Sequence, residues 1–318
     1  MDARIAIAPQ GSRLPSRVDD AATEHRRWVV AEAVREAGGS IVAVSDANGL
    51  MWLDGDPAPL ADLLDANPEI SWVQLPAAGV EAFASAGIFT RPVMFTCAKG
   101  SFAEQVAEHA LMLTLACLRR LVAQARVRAW HGVEVISLRG KRVTILGAGG
   151  IAEVLIRLLQ PFECHIRVLR RRAEPVEGAN ESLPITELHS VLPETDVLVL
   201  ALALTSDTRH IIGHKELDLL NAEAVVVNVA RGAHIDTEAL TAALQDGRIA
   251  AAGLDVTDPE PLPSDHPLWS LDTAVITSHC ADSTSFVTNR LGQRVRENVG
   301  RFRRAEPLVG VVDADFGY

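Results

Sequence analysis

The chain has 318 residues, 48% hydrophobic and 22% charged, a composition that suits a globular protein large enough for two domains. Its formal net charge of −11 argues against a nucleic-acid partner, because phosphate binding favours a basic surface. The sequence has no apolar run of membrane-spanning length, no signal-peptide pattern and no paired cysteines. We therefore expect a cytoplasmic protein with no membrane association and no metal site.

The first hundred residues alternate short apolar runs with helical patterns. Strands are predicted over 5–8, 41–44, 71–75 and 93–96, and helices over 22–37 and 60–66. Strand–helix alternation with short links predicts a parallel, doubly wound sheet. A long helical pattern over 102–128 then leads out of this first unit.

The alternation restarts after residue 141, which predicts a second α/β unit. Its strands are predicted over 142–146, 166–169, 197–201, 225–229, 250–254 and 275–277. A last helix, over 285–304, follows this unit, and we expect it to pack on the first domain. The predicted domains are therefore 103–283, and a discontinuous one made of 1–102 and 284–318.

A glycine-rich segment, Gly147-Ala148-Gly149-Gly150-Ile151-Ala152, lies between a predicted strand and a predicted helix. The first glycine permits a tight turn, and the second lets the backbone approach a pyrophosphate. The helix N-terminus presents free N–H groups to that anion. The segment predicts a dinucleotide site that includes Gly147, Gly149, Gly150 and Ile151.

The second strand of this unit ends in Arg170-Arg171-Arg172, where NAD-binding proteins usually carry an acid for the ribose 2′-hydroxyl. Guanidinium groups suit a 2′-phosphate instead. The alternative interpretation is a solvated basic loop. Arg170 and Arg171 therefore favour NADP as the cofactor, with NAD also possible.

Three segments that follow predicted strands carry the side chains for hydride chemistry on a 2-keto acid. A guanidinium can hold the substrate carboxylate in a fixed geometry, and Arg231 is the candidate. The carbonyl oxygen needs a proton donor near neutral pH, and His279 is the candidate. Glu260 is the candidate for the carboxylate that orients this imidazole and favours its charged form.

These segments resemble the D-isomer-specific 2-hydroxyacid dehydrogenase family over essentially the whole chain. The likeness rests on Asn-Val-Ala-Arg-Gly at 228–232, Leu-Asp-Val at 254–256, Pro-Glu-Pro at 259–261 and Thr-Ser-His at 277–279. The order and spacing of Arg231, Glu260 and His279 are similar to the family's Arg–Glu–His set. The arginines after the second strand resemble those of the glyoxylate/hydroxypyruvate reductase branch.

The resemblance implies a Rossmann-type nucleotide domain inserted in a flavodoxin-like substrate domain, and a homodimer formed through the nucleotide domain. It implies that backbone N–H groups of Ala78 and Gly79 hold the substrate carboxylate, and that Asp255 contacts the nicotinamide carboxamide. It further implies a set of residues that line the cofactor cleft. They are Leu202, Ala203, Thr208, Val229 and Ala230.

Taken together, the motifs predict an oxidoreductase that moves a hydride between NAD(P)H and a small 2-keto acid. One alternative is an NAD-dependent 2-hydroxyacid dehydrogenase working in the oxidative direction. The other is a nucleotide-sensing, corepressor-like binding protein, since a fold by itself does not determine function. The retained Arg231, Glu260 and His279 favour an enzyme. His109, in the long helical pattern, is predicted to be structural.

Overall fold

The computed structural model describes residues 2–9, 20–130 and 132–314. The chain divides into two compact units, one that runs to Phe102 and resumes at Asp282, and one that spans Ala103–Ala281. In the part of the chain that is described, no helix combines the length and the apolar character needed to cross a bilayer.

The described part of the first unit contains a five-stranded parallel sheet. Its strands are β1 (Arg4–Ala8), β2 (Ser40–Ile41), β3 (Gly49–Trp52), β4 (Trp72–Gln74) and β5 (Met94–Thr96). The strand order is β2-β1-β3-β4-β5, the flavodoxin-like arrangement. Three helices interleave with these strands: α1 (Asp20–Glu36), α2 (Pro57–Ala66) and α3 (Glu81–Ser85).

The second unit contains a seven-stranded parallel sheet among its described residues. Its strands are β6 (Arg142–Leu146), β7 (His165–Arg170), β8 (Glu181–Pro184), β9 (Val197–Leu200), β10 (Val225–Asn228), β11 (Ala251–Leu254) and β12 (Ala274–Ile276). The order β12-β11-β10-β9-β6-β7-β8 reverses direction between β6 and β9, as in the Rossmann fold. The predicted fold class, two doubly wound parallel-sheet domains, is confirmed.

The described residues contain seven further α-helices. They are α4 (Ala103–Leu118), α5 (Leu121–Arg126), α6 (Gly150–Leu159), α7 (Leu188–Val191), α8 (His214–Leu219), α9 (Thr237–Gln245) and α10 (Thr284–Arg303). The prediction of a single helix over 102–128 was wrong, because the helical conformation is interrupted between α4 and α5. Arg120 there has a φ of 50°, a left-handed conformation that an α-helix does not accommodate.

Both faces of the first sheet are covered, as the alternation of side chains along β1 shows. Ile5 and Ile7 belong to a buried cluster with apolar residues of α1 and α10, whereas Ala6 and Ala8 face a second cluster. Helix α10 contributes Leu291, Val295 and Val299 to the cluster that contains Ile5 and Ile7. The C-terminal helix is thus part of the core of the first unit.

Candidate active site

The predicted cofactor and catalytic residues of the second unit share one place in the fold. Each lies at or just beyond the carboxyl end of a strand, which is the edge where open parallel sheets bind ligands. In chain order they are Gly147, Gly149, Gly150 and Ile151 after β6; Arg170 and Arg171 at the end of β7; Leu202, Ala203 and Thr208 after β9; Val229, Ala230 and Arg231 after β10; Asp255 and Glu260 after β11; and His279 after β12.

The glycine loop after β6 has the geometry that a pyrophosphate requires. Gly147 has a φ of +105°, and a Cβ there would lie 2.3 Å from the carbonyl oxygen of Ala201, so only glycine fits. A Cβ on Gly149 would meet no heavy atom within 4 Å, so the space above this residue is open. Gly149 is also the N-cap of α6 and provides no side-chain cap. The loop therefore fits a dinucleotide phosphate.

The arginine run begins at the last residue of β7. Arg170 is half-buried and ion-paired with Glu174, with 3.1 Å between Nη2 and Oε2. Arg171 and Arg172 are exposed. The strand ends without the acid that would accept a ribose hydroxyl, and a cation stands there instead. This arrangement fits a 2′-phosphate, for which Glu174 would have to give up part of its contact with Arg170.

The loops after β9 and β10 contain the remaining predicted cofactor residues. Leu202 and Ala203 are half-buried, and Val229 and Ala230 are buried. The Thr208 hydroxyl donates to the Ala203 carbonyl at 2.8 Å and accepts from the Thr205 N–H at 2.8 Å. Thr208 therefore shapes its own loop, in addition to any contact with a ligand.

Arg231 is held by a turn that Asn228 organises. The Asn228 side chain donates to the Arg231 carbonyl at 2.8 Å and accepts from the Ala230 N–H at 3.0 Å. The Arg231 guanidinium donates through Nη1 to the Ala230 carbonyl at 2.7 Å. These contacts explain the Asn-x-x-Arg pattern physically, because the buried amide fixes the backbone that presents the guanidinium.

Gly232, the residue after Arg231, packs directly against the loop that leads to Glu260. A Cβ on Gly232 would lie 2.0 Å from both the carbonyl carbon and the carbonyl oxygen of Thr257. The two backbones therefore touch at a point where no side chain can be accommodated. This contact sets the spacing between the segments that carry Arg231 and Glu260.

Glu260 and His279 form the predicted pair. Glu260 Oε1 lies 2.8 Å from His279 Nδ1, and both side chains are partly exposed. Because Nδ1 is bonded to the carboxylate, Nε2 is the ring nitrogen that can pass a proton to a ligand. The structure therefore brings together two of the three predicted catalytic groups in direct contact.

Asp255 has more contacts than the sequence suggested. Its buried carboxylate accepts from the Thr277 hydroxyl at 2.6 Å, the Cys280 N–H at 2.9 Å and the Ala281 N–H at 3.2 Å. Burial by itself would raise the pKa of Asp255, but hydrogen bonds from His109, Thr277 and Cys280 hold this pKa well below its ordinary value. Asp255 is thus an ionised organiser of the turn around His279.

Sequence reasoning missed Thr277 and His109, which contact each other at 2.9 Å although they are 168 positions apart. Among the described residues, ligand atoms of His109, Asp255 and Cys280 lie within 4.8 Å of one another, a grouping that could hold a metal ion. The four donors on the Asp255 carboxylate account for this proximity without one.

The two predicted residues of the first unit lie in the segment after β4. Ala78 is exposed and Gly79 is half-buried. The Ala98 N–H donates to the Ala77 carbonyl at 2.9 Å, which ties this segment to the one after β5. The role of Ala78 and Gly79 in binding a carboxylate stays a prediction.

Comparison with known proteins places these features in a family. The sequence model for the D-isomer specific 2-hydroxyacid dehydrogenase NAD-binding domain matches residues 110–281. A glyoxylate reductase of Korarchaeum cryptofilum is 32% identical, with 84% of this chain and 82% of that protein covered. The glyoxylate/hydroxypyruvate reductase HPR3 of Arabidopsis thaliana is 30% identical, with 81% of each covered.

A solved structure has a similar fold. The D-isomer specific 2-hydroxyacid dehydrogenase of Xanthobacter autotrophicus superposes with a TM-score of 0.85 at 24% identity, with 100% of both chains covered. The Rossmann strand order, the glycine loop and the family match define an NAD(P)-dependent oxidoreductase. The chain belongs to the D-isomer-specific 2-hydroxyacid dehydrogenase family. Members of this class transfer a hydride between the nicotinamide cofactor and a small 2-hydroxy or 2-keto acid, as the motifs predicted.

Proposed function

We propose that this chain is a glyoxylate/hydroxypyruvate-type reductase with NADPH as its preferred cofactor. The observation that carries the proposal is the hydrogen-bonded Glu260–His279 pair on the loop edge that also bears Arg231. Two relatives that align with most of the chain are a glyoxylate reductase and a glyoxylate/hydroxypyruvate reductase. Their names support a short 2-keto acid as the substrate.

The proposed roles follow from the chemistry of each group. Arg231 binds the substrate carboxylate, because a guanidinium matches its planar geometry. The backbone N–H groups of Ala78 and Gly79 are proposed as further donors to that carboxylate. His279 donates a proton through Nε2 to the carbonyl oxygen, and Glu260 orients the ring through its hydrogen bond with Nδ1. The reduced nicotinamide, when bound, supplies the hydride.

The proposed cofactor site comprises the loops after β6, β7, β9 and β10, with Asp255 next to the nicotinamide end. Gly147, Gly149, Gly150 and Ile151 would hold the pyrophosphate through backbone N–H groups. The half-buried and buried apolar residues at 202, 203, 229 and 230 would line the cofactor, and Thr208 would stabilise the loop after β9.

A spectrophotometric panel tests the substrate assignment. The purified chain is assayed with NADPH or NADH against glyoxylate, hydroxypyruvate, pyruvate, phenylpyruvate and a branched keto acid, and in reverse with the matching hydroxy acids. The proposal expects the highest kcat/KM with glyoxylate or hydroxypyruvate. A preference for a bulky keto acid, or efficient turnover only in the oxidative direction, would overturn it.

The cofactor preference is tested by replacing Arg170 and Arg171 together with alanine. A 2′-phosphate carries a charge of about −1.5 to −2, and each charge-assisted hydrogen bond to it contributes about 1.5–3 kcal/mol before screening. Because the arginine run is largely exposed, we expect kcat/KM to favour NADPH by about 10- to 100-fold in the parent. The double variant should lose most of this preference and leave the NADH kinetics nearly unchanged.

Arg172→Ala is the matched control, because this exposed residue continues the same basic run beyond Arg170 and Arg171. It should leave the preference within about two-fold of the parent, a change of roughly 0.4 kcal/mol. Raising the salt concentration should also narrow the preference of the parent enzyme. Equal kcat/KM values for NADPH and NADH in the parent would show that the arginines form only a solvated loop.

Glu260→Gln tests whether the carboxylate supports the proposed proton donor. The substitution removes the carboxylate charge and keeps the shape, so the His279 ring loses the charge-assisted part of its hydrogen bond at Nδ1. We expect kcat for reduction to fall by about 10-fold, because a hydrogen bond to a charged group contributes about 1.5–3 kcal/mol before screening and both groups are partly solvated. The KM for the keto acid and the Kd for NADPH should stay near the parental values. A parental kcat in the variant would remove Glu260 from the mechanism.

We also propose that the chain forms a homodimer and is cytoplasmic. Large apolar side chains are exposed along one stretch of the second unit, and Trp130 has a relative exposure of 104%. The others in that stretch are Leu121, Val127 and Val135. A second copy that covered this surface would bury them. Light scattering of the purified chain measures its mass in solution. A mass of twice the 34.2 kDa of one chain supports the dimer, and the mass of a single chain contradicts it.

A further inference from the structure

His109 lies on α4, on the side that packs against β11. A Cβ on Gly253 of β11 would lie 2.9 Å from the Cβ of Leu113, so the helix approaches this strand more closely than a larger residue would allow. His109 precedes Leu113 by one helical turn, and Asp255 follows Gly253 by two residues. The His109 side chain is only 13% exposed.

The imidazole of His109 contacts two groups of the loop edge. Its Nε2 lies 2.9 Å from Thr277 Oγ1 and 3.2 Å from Asp255 Oδ1. The Thr277 hydroxyl donates to Asp255 Oδ1 at 2.6 Å, so its oxygen can only accept from His109. The hydrogen-bond network therefore assigns a proton to Nε2, whichever state Nδ1 adopts.

Asp255 in turn fixes the residues on both sides of His279. The Asp255 carbonyl accepts the His279 N–H at 2.8 Å, and its carboxylate accepts the N–H of Cys280 and of Ala281. His279 has a φ of 51°, in the left-handed region that is uncommon for residues other than glycine. The turn keeps this conformation because the surrounding bonds determine it.

We propose that His109 is a positioning residue for the acid–base pair. Its Nε2–H holds the Asp255 carboxylate and the Thr277 hydroxyl in the arrangement that presents His279 to the substrate. His109 acts through Asp255 and contacts no reacting atom. The inference rests on the proposed role of His279, and it adds a residue that neither the motifs nor the family match assigns a role.

The test compares His109→Leu, which removes the donor, with His109→Gln, whose amide nitrogen can replace Nε2–H. Leaving a buried acceptor without its donor should lower kcat by about 10- to 100-fold. The KM for the keto acid and the Kd for NADPH, measured by fluorescence titration, should change by less than about threefold, because Arg231 and the glycine loop are untouched. His109→Gln should recover most of kcat.

The matched control is His165→Leu. This histidine also bonds a carboxylate, with Nε2 2.6 Å from Glu181 Oε1, but it lies at the β7–β8 edge of the same sheet. Its replacement should leave kcat within about twofold of the parent, which corresponds to about 0.4 kcal/mol. A loss of kcat in this control as large as that in His109→Leu would overturn the specific role of His109.

Amide hydrogen exchange gives a readout that does not depend on activity. The N–H groups of Cys280 and Ala281 should exchange faster in His109→Leu and at the parental rate in His109→Gln. If His109→Leu does not fold, Thr277→Val, which removes the hydroxyl between the two groups, should show the same loss of kcat and faster exchange. Parental kcat and exchange in the folded variant would overturn the proposal.

His279→Ala, assayed beside these variants, separates the two levels of inference. If His279→Ala keeps its activity, the proposed proton donor is wrong, whereas the exchange data still report whether His109 holds the turn. If His279→Ala is inactive and His109→Leu is fully active with unchanged exchange, only the role of His109 is refuted.

Discussion

His279→Ala is expected to lower kcat for keto-acid reduction by about 10²- to 10⁴-fold, the usual contribution of a positioned general acid. The variant keeps Arg231 and the glycine loop, so the substrate and the cofactor still bind. What it loses is the proton that must reach the carbonyl oxygen as the hydride arrives. The measurement is kcat and KM with the best keto acid from the panel, together with the Kd for NADPH.

Two comparisons make this result specific. His189→Ala removes a second partly exposed histidine that forms a hydrogen bond with a glutamate, with Nε2 2.7 Å from Glu216 Oε1, but this pair lies on α7 and α8 and not on the loops that carry Arg231, Glu260 and His279. Its kcat should match that of the parent. If His279→Ala retained near-parental kcat with every keto acid tested, another group would have to be the proton donor.

Arg231→Lys is expected to lower kcat/KM by about 10- to 100-fold although it keeps the positive charge. A lysine offers a point charge in place of a planar fork, so at least one charge-assisted hydrogen bond to the carboxylate is lost or distorted, and each contributes about 1.5–3 kcal/mol. The carboxylate persists into the transition state, so KM should rise and kcat should fall together. Steady-state kinetics with glyoxylate and hydroxypyruvate separate the two parameters.

Arg139→Lys is the control, since this exposed arginine forms an ion pair with Glu163 at the surface of the same unit. Its kinetics should be parental, because exposed pairs contribute little. An Arg231→Lys enzyme with parental kcat and KM would mean that the substrate carboxylate is bound elsewhere. The backbone N–H groups of Ala78 and Gly79 would then become the leading candidates.

The sequence was sufficient to predict the fold class and the loops that form the site, because both depend on local patterns. Apolar runs at regular spacing marked the strand ends, and parallel strands bring such ends to one edge. The contacts of His109 could not be predicted from the sequence. A histidine in a helix is usually structural, and only the close packing of α4 on Gly253 brings this one to residues far along the chain.

The missed strands have a similar explanation. β3 consists of four buried residues after an asparagine, too short a run to separate from the turns around it. β8 is an edge strand in which every residue is half-buried, so it lacks the apolar signal of the central strands. The run predicted as a strand over 41–44 forms only β2 before a 3₁₀ turn at Val44–Asp46. Pairing with β1 stabilises β2 and β3, and this pairing cannot be predicted from the pattern of neighbouring residues in the sequence.

The contact between Gly232 and Thr257 bears on how the specificity of this enzyme can be changed. Direct contact between two main chains sets the distance between the segment that carries Arg231 and the segment that carries Glu260, and the atoms in contact belong to the backbone. Pocket residues can therefore be exchanged to admit a longer or bulkier keto acid while the reactive groups keep their spacing. Redesign of the substrate range should leave Gly232 unchanged and vary the residues that contact the substrate.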